Sequence, residues 1–213
     1  MKLGLLGGTF NPIHLAHLRI AEEAREAADL DQVLFIPAAD PPHKPLAGDV
    51  TFELRAAMVQ LAIAANPAFG CSDIEARREG KSYTVDTLTA FRIEQPDDEL
   101  YFIIGSDSFL ELGLWYRYEA IFPLASLIVV ERPEKEITEP LQQLPEAVRD
   151  QFVHESSNLL RHSSGTSIRF VIGTRLDISS SQLRERIVRQ QSIRYLVPPE
   201  IELFITQKGL YQP

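Results

Sequence analysis

Short apolar runs recur along the chain at Leu3–Leu6, Val33–Ile36, Leu100–Ile104 and Ser126–Val130, each closed by a glycine, a proline or a glutamate. They lack the alternation of polar and apolar residues that a half-exposed strand shows, so they read as strands covered on both faces. Between them lie segments of helical spacing, from Leu15 to about Ala28, from Phe52 to about Ala65 and from Tyr83 to Ile93. Strands alternating with helices require crossover connections, and hence a mainly parallel sheet. Phe69–Ile74 and Phe170–Ile172 extend the pattern, and Ser179 precedes a helix carrying Leu183, Ile187 and Val188. The expected fold is α/β, a Rossmann-like doubly wound, mainly parallel sheet with helices on both faces.

One domain over 1–213 is expected, with a C-terminal helical part at about 179–213. The stretch 132–165 breaks the pattern: it contains Pro133, Pro140 and Pro145, a predicted helix from Pro145 to Phe152, and the polar run Arg161–Thr166. It is expected to be a peripheral insertion or a mobile connection. With 213 residues, 45% of them hydrophobic, the chain can bury a substantial core, and a net charge of -9 argues against general nucleic-acid binding. Cys71 is the sole cysteine, which excludes an internal disulfide. No apolar stretch reaches the roughly 18 residues of a membrane span, and Met1–Leu6 is too brief before its glycines for a signal peptide. The expected location is the cytoplasm.

The chemistry concentrates where strands end. Gly7-Gly8-Thr9-Phe10-Asn11-Pro12-Ile13-His14-Leu15-Ala16-His17 joins the first strand to the first helix, the edge of a parallel sheet where ligands bind. Glycines permit close backbone approach, and amides at a helix start favour an anion. His14 and His17, three residues apart on a helix, would share a face and aim two imidazoles at one charge. Zinc is disfavoured, since the pair lacks the His-Glu-x-x-His arrangement and a third ligand. Ser179-Ser180-Ser181-Gln182-Leu183-Arg184 opens a later helix, with Arg184 one turn beyond Ser180. Its hydroxyls, amides and guanidinium suit phosphate oxygens, although serines at a helix start are also ordinary caps. Gly105-Ser106-Asp107 follows another strand, where Asp107 is either a ligand contact or a cap.

Gly7–His17 resembles the signature of the nucleotidyltransferase superfamily, with Asn11 where aspartate is frequent and Ala16 where glycine is frequent. Ile178–Arg184 resembles that superfamily's second motif, with Ser181 and Leu183 as departures. Over essentially the whole chain the resemblance is nearest to the bacterial nicotinate mononucleotide adenylyltransferases, through Pro41-Pro42-His43-Lys44, Ser82–Leu88 and Trp115-Tyr116. It implies adenylyl transfer from ATP to nicotinate mononucleotide with Mg2+ as cofactor. It assigns catalysis to His14, His17 and Arg184, and ATP binding to Gly7, Gly8, Thr9, Phe10, Gly105, Asp107, Ser179 and Ser180. It places the mononucleotide against Lys44, Thr84, Trp115 and Tyr116, with Trp115 stacking on the pyridine ring. The same resemblance leaves monomer and homodimer open. Phosphopantetheine or nicotinamide mononucleotide as acceptor, a tRNA synthetase fragment, a regulator that has lost catalysis, and a purely structural or interaction domain are the alternatives. The synthetase reading lacks the expected Lys-Met-Ser-Lys-Ser sequence.

Overall fold

The computed structural model describes residues 1–42, 50–131 and 137–212. Its strands are β1 (Lys2–Gly8), β2 (Gln32–Pro37), β3 (Phe69–Cys71), β4 (Glu99–Gly105), β5 (Ser126–Glu131), β6 (Phe152–Ser156), β7 (Leu159–His162) and β8 (Ser167–Ile172). They form an eight-stranded sheet in the order β3-β2-β1-β4-β5-β8-β7-β6. The pairs β1/β4, β4/β5 and β5/β8 are parallel, while β7 and β6 return antiparallel. The helices are α1 (Leu15–Ala28), α2 (Phe52–Ile63), α3 (Thr84–Glu94), α4 (Ser106–Leu110), α5 (Pro140–Gln143), α6 (Glu146–Arg149), α7 (Ser180–Val188) and α8 (Pro199–Lys208). This is the Rossmann-like α/β architecture that the uninterrupted apolar runs imply.

The chain packs as two compact units: Met1–Gly7, Ile20–Val33 and Tyr83–Arg175 form the first, and Gly8–Arg19, Leu34–Ser82 and Leu176–Pro213 the second. In the first, Leu127–Glu131 of β5 are all buried, as expected of a strand flanked by parallel neighbours. Gly4 of β1 is dictated by packing, because a Cβ there would stand 2.7 Å from Leu30 Cδ1 and 3.0 Å from Val33 Cγ2. Arg92 of α3 donates from Nε to the Leu124 carbonyl at 2.7 Å and from Nη1 to that of Asp98 at 2.6 Å, tying the helix to two strand ends.

The expected helix from Pro145 to Phe152 is corrected: α6 stops at Arg149, and Phe152 opens β6. Phe152 is buried edge-on to Phe122 at 5.0 Å and beside His162 at 4.8 Å, so tertiary packing draws it into the sheet. The described part of 132–165 comprises two short helices and two strands at one end of the sheet. β6 is exposed beyond Phe152, through Val153, His154, Glu155 and Ser156, and stands at the sheet edge.

In the second unit, Thr51 caps α2 by accepting from the Leu54 amide at 3.4 Å, and the helix buries Arg55, Met58, Val59 and Ile63. Phe35 of β2 packs against Phe10 at 5.7 Å and Phe69 at 5.3 Å. The C-terminal part resolves into α7 and α8. Pro199 sits at the N-terminal turn of α8, where its fixed φ and missing N–H cost nothing, and Gly209 ends the helix in the left-handed conformation (φ 61°).

Candidate active site

The turn after β1 is built on two backbone requirements. Phe10 adopts φ 46°, and its buried ring lies over Gly8, where an added Cβ would meet Phe10 Cε1 and Cζ at 3.0 Å. Gly8 therefore makes room for Phe10. That ring also meets His17 of α1, edge-on at 5.0 Å. α1 starts at Leu15, so His14 precedes the helix and its carbonyl accepts the His17 amide at 3.0 Å. The imidazoles nevertheless stack, with centroids 3.7 Å apart and planes at 25°. The His14 amide donates to His17 Nδ1 at 3.2 Å, which leaves the proton of neutral His17 on Nε2.

The two motifs meet. Ser180 Oγ donates to the Pro12 carbonyl at 2.8 Å, and Arg184 Nη1 to the Asn11 carbonyl at 2.7 Å. Arg55 Nη1 donates to the Thr9 carbonyl at 2.9 Å. In a trans peptide the following N–H points opposite to the carbonyl, so with these oxygens turned toward α2 and α7 the Phe10 and Ile13 amides face the other way. Outward amides on a turn form an anion-binding concavity. Ser179 is committed to a capping box: its hydroxyl accepts the Gln182 amide at 3.2 Å, and Gln182 Oε1 accepts the Ser179 amide at 3.1 Å. Arg184 Nη2 also reaches Ser181 Oγ at 3.1 Å. The serines thus organise the junction through their side chains, and what remains for a phosphate here is backbone amide and guanidinium.

Of the other residues singled out in the sequence, the first unit holds Gly7, Thr84, Gly105, Asp107, Trp115 and Tyr116. Gly105 closes β4 and caps α4, Asp107 lies in the first turn of α4, and Thr84 is the first residue of α3. Trp115 is half-buried and edge-on to Phe102 at 6.3 Å, while the exposed Tyr116 lies against Tyr83 at 4.4 Å with the planes tilted by 33°. Trp115 and Tyr116 thus use separate partners, and the Tyr83–Tyr116 contact draws the start of α3 to the Trp-Tyr segment. Lys44 lies outside the described residues. In the second unit, Ser82 Oγ accepts the amides of Ala39 at 3.0 Å and Asp40 at 3.1 Å, joining the loop after β2 to the segment before α3.

Two residues that the sequence reading passed over enter this site. Arg55 is wholly buried (0% exposed), and its Nε and Nη2 have no hydrogen-bond partner among the described residues. Burial pushes its guanidinium below the usual value, with Tyr211, Glu53 and Glu75 pulling the other way. The signal was an arginine at a core position of α2, with Met58, Val59 and Ile63 following at helical spacing. Tyr211, near the end of the chain, donates to Asn11 Oδ1 at 2.6 Å, a contact no local pattern announces.

The sequence profile of the cytidylyltransferase-like family matches residues 5–186. A protein of Trichlorobacter lovleyi named probable nicotinate-nucleotide adenylyltransferase is 88% identical over 213 residues, covering 100% of both chains. One of the same name from Pelobacter propionicus is 57% identical, covering 99% of this chain and 98% of its own. In structure, the Plasmodium falciparum nicotinic acid mononucleotide adenylyltransferase complexed with NaAD is similar with a TM-score of 0.76 at 20% identity, over 99% of this chain and 97% of that one. Matched by the family profile over residues 5–186 and by these relatives over 99–100% of its length, the chain belongs to the cytidylyltransferase-like family and, within it, to the family of the nicotinate-nucleotide adenylyltransferases.

Proposed function

We propose that this chain transfers the adenylyl group of ATP to the phosphate of nicotinate mononucleotide, giving nicotinate adenine dinucleotide and pyrophosphate in NAD biosynthesis. The observation that carries the reading is the junction of the first turn with α7, where Ser180 and Arg184 hold the Pro12 and Asn11 carbonyls beside His14 and His17. The names of relatives matched over the whole chain support the acceptor.

An oxygen of the mononucleotide phosphate attacks the α-phosphorus of ATP, and the bond to the pyrophosphate oxygen breaks. The nucleophile is already anionic at neutral pH, so no general base is required. The protein's task is to bring two polyanions into line and stabilise the charge that develops on the transferred and leaving groups. His17 supplies its Nε2 proton, His14 a second imidazole, and Arg184 a guanidinium that must share or exchange its contact with Asn11 or Ser181. Gly8, Thr9 and Phe10 offer turn amides, Ser179 and Ser180 the start of α7, and Gly7, Gly105 and Asp107 contacts to the nucleotide. On the acceptor side Trp115 stacks on the cationic pyridine ring, the Thr84 and Tyr116 amides receive the carboxylate, and Lys44 meets the phosphate.

Among the described residues no three His, Cys, Asp or Glu side chains converge as a cation cage. The donors at the turn are imidazole, guanidinium and amide, which complement phosphate rather than a hard cation. Mg2+ is proposed to enter with the substrate, held mainly by the ATP phosphates. No described helix is long and apolar enough to cross a membrane, and the proposed place of action is the cytoplasm.

The test is Mg2+-dependent pyrophosphate release from ATP with, separately, nicotinate mononucleotide, nicotinamide mononucleotide and phosphopantetheine. Release chiefly with the first is expected. Release chiefly with another overturns the assignment of Trp115, Thr84 and Tyr116, and ATP binding without release overturns the enzyme reading in favour of a regulator.

A further inference from the structure

We propose that Tyr211 is a positioning residue for the phosphate turn, its hydroxyl locking Asn11 and thereby the direction in which the turn presents its amides and His14. Asn11 is buried and held from two sides: Arg184 takes its carbonyl at 2.7 Å, and Tyr211 Oη donates to its side-chain Oδ1 at 2.6 Å. One contact fixes the peptide plane and the other fixes rotation about the side chain. Ser180 on the Pro12 carbonyl and Arg55 on that of Thr9 complete the frame around the turn.

Tyr211 is placed there against local preference. α8 ends at Gly209, the Leu210 amide returns to the Ile205 carbonyl at 3.0 Å, and Leu210 is buried as an anchor. Tyr211 then adopts φ 62°, a left-handed conformation disfavoured for a bulky residue and sustained only where surrounding structure imposes it. The ring lies near both Arg55 and Arg184, whose charges favour ionisation of the phenol. Burial is the stronger influence and pushes the hydroxyl well above its usual value, so it stays a protonated donor throughout the working pH range.

The role rests on the adenylyl-transfer reading, but its consequence for ATP can be measured separately. Tyr211→Phe removes only the hydroxyl, leaving the ring and its packing. The measurements are kcat and KM for each substrate, ATP binding by calorimetry without acceptor, and the melting temperature, for Tyr211→Phe, Asn11→Ala and the double variant. A fall in kcat of roughly tenfold is expected for each single variant, equivalent to about 1.4 kcal/mol. The mononucleotide KM and the melting temperature should hardly move, and the double variant should be no slower than the worse single one, because both changes break one contact.

Additive losses, wild-type kcat in Tyr211→Phe, or a drop in melting temperature with kcat intact each overturn the role. If the wild-type chain releases no pyrophosphate with any acceptor, the parent reading has failed. ATP affinity then decides for Tyr211, with severalfold weaker binding in Tyr211→Phe expected and unchanged binding overturning it.

Discussion

Arg55→Met separates stability from function at the phosphate turn. In the folded state the guanidinium gains a charge-assisted hydrogen bond to the Thr9 carbonyl, worth about 1.5–3 kcal/mol. It also lies 5.7 Å from the centre of the Phe52 ring, which contributes about 0.5–2 kcal/mol. Against this stand two buried nitrogens without an acceptor among the described residues, costing about 1–3 kcal/mol each. The terms nearly cancel. Methionine fills much of the same volume without a charge, and replacing buried ions by apolar groups is often neutral or stabilising. Urea unfolding should thus place Arg55→Met within about 2 kcal/mol of wild type. The Thr9 carbonyl, however, loses the donor that turns it inward, and pyrophosphate release should slow by roughly tenfold, as when one positioning contact is lost. A variant that loses more than about 4 kcal/mol while keeping kcat would show the arginine to be a stabilising core residue and refute the balance.

His17→Ala should lower kcat by roughly 10²-fold, by analogy with removing one preorganised donor, and near wild-type turnover would dismiss it from the chemistry. Trp115→Ala should raise the nicotinate mononucleotide KM by roughly tenfold while leaving that of ATP unchanged, and an unmoved KM returns Trp115 to a packing role. His162 is expected to make stability pH-dependent. Its Nδ1 accepts from the Ser164 amide at 3.2 Å and its Nε2 donates to Gln151 Oε1 at 3.1 Å, the neutral tautomer, and burial pushes its pKa below the usual value. In acid the unfolded chain therefore binds the proton first. The stabilisation is complete above the ordinary histidine value and is lost as pH falls through it toward the lowered folded value. The urea midpoint should drop between pH 7.5 and 5.5, less so in His162→Gln, and equal drops in the two proteins would remove His162 from the account.

Strand runs such as Leu100–Ile104 and Ser126–Val130 were legible because continuous burial writes itself as continuous apolarity. β6 and β7 were not, since β6 keeps one buried residue and exposes the rest, leaving nothing for periodicity to detect. The turn and the α7 start stood out through residue types suited to phosphate. Their hydrogen bonding did not, because Ser180 Oγ and the Pro12 carbonyl are brought together by the fold rather than by spacing. Ser179 shows the converse, a hydroxyl expected at phosphate and found capping its own helix.

The donors on Pro12, Asn11 and the Asn11 side chain come from 168, 173 and 200 residues farther along the chain. During synthesis the signature motif therefore leaves the ribosome long before the groups that set its shape. The nascent chain cannot hold the assembled turn until Tyr211 has emerged, so a chain cut just before Tyr211 would keep every recognisable motif and still lack the lock on Asn11.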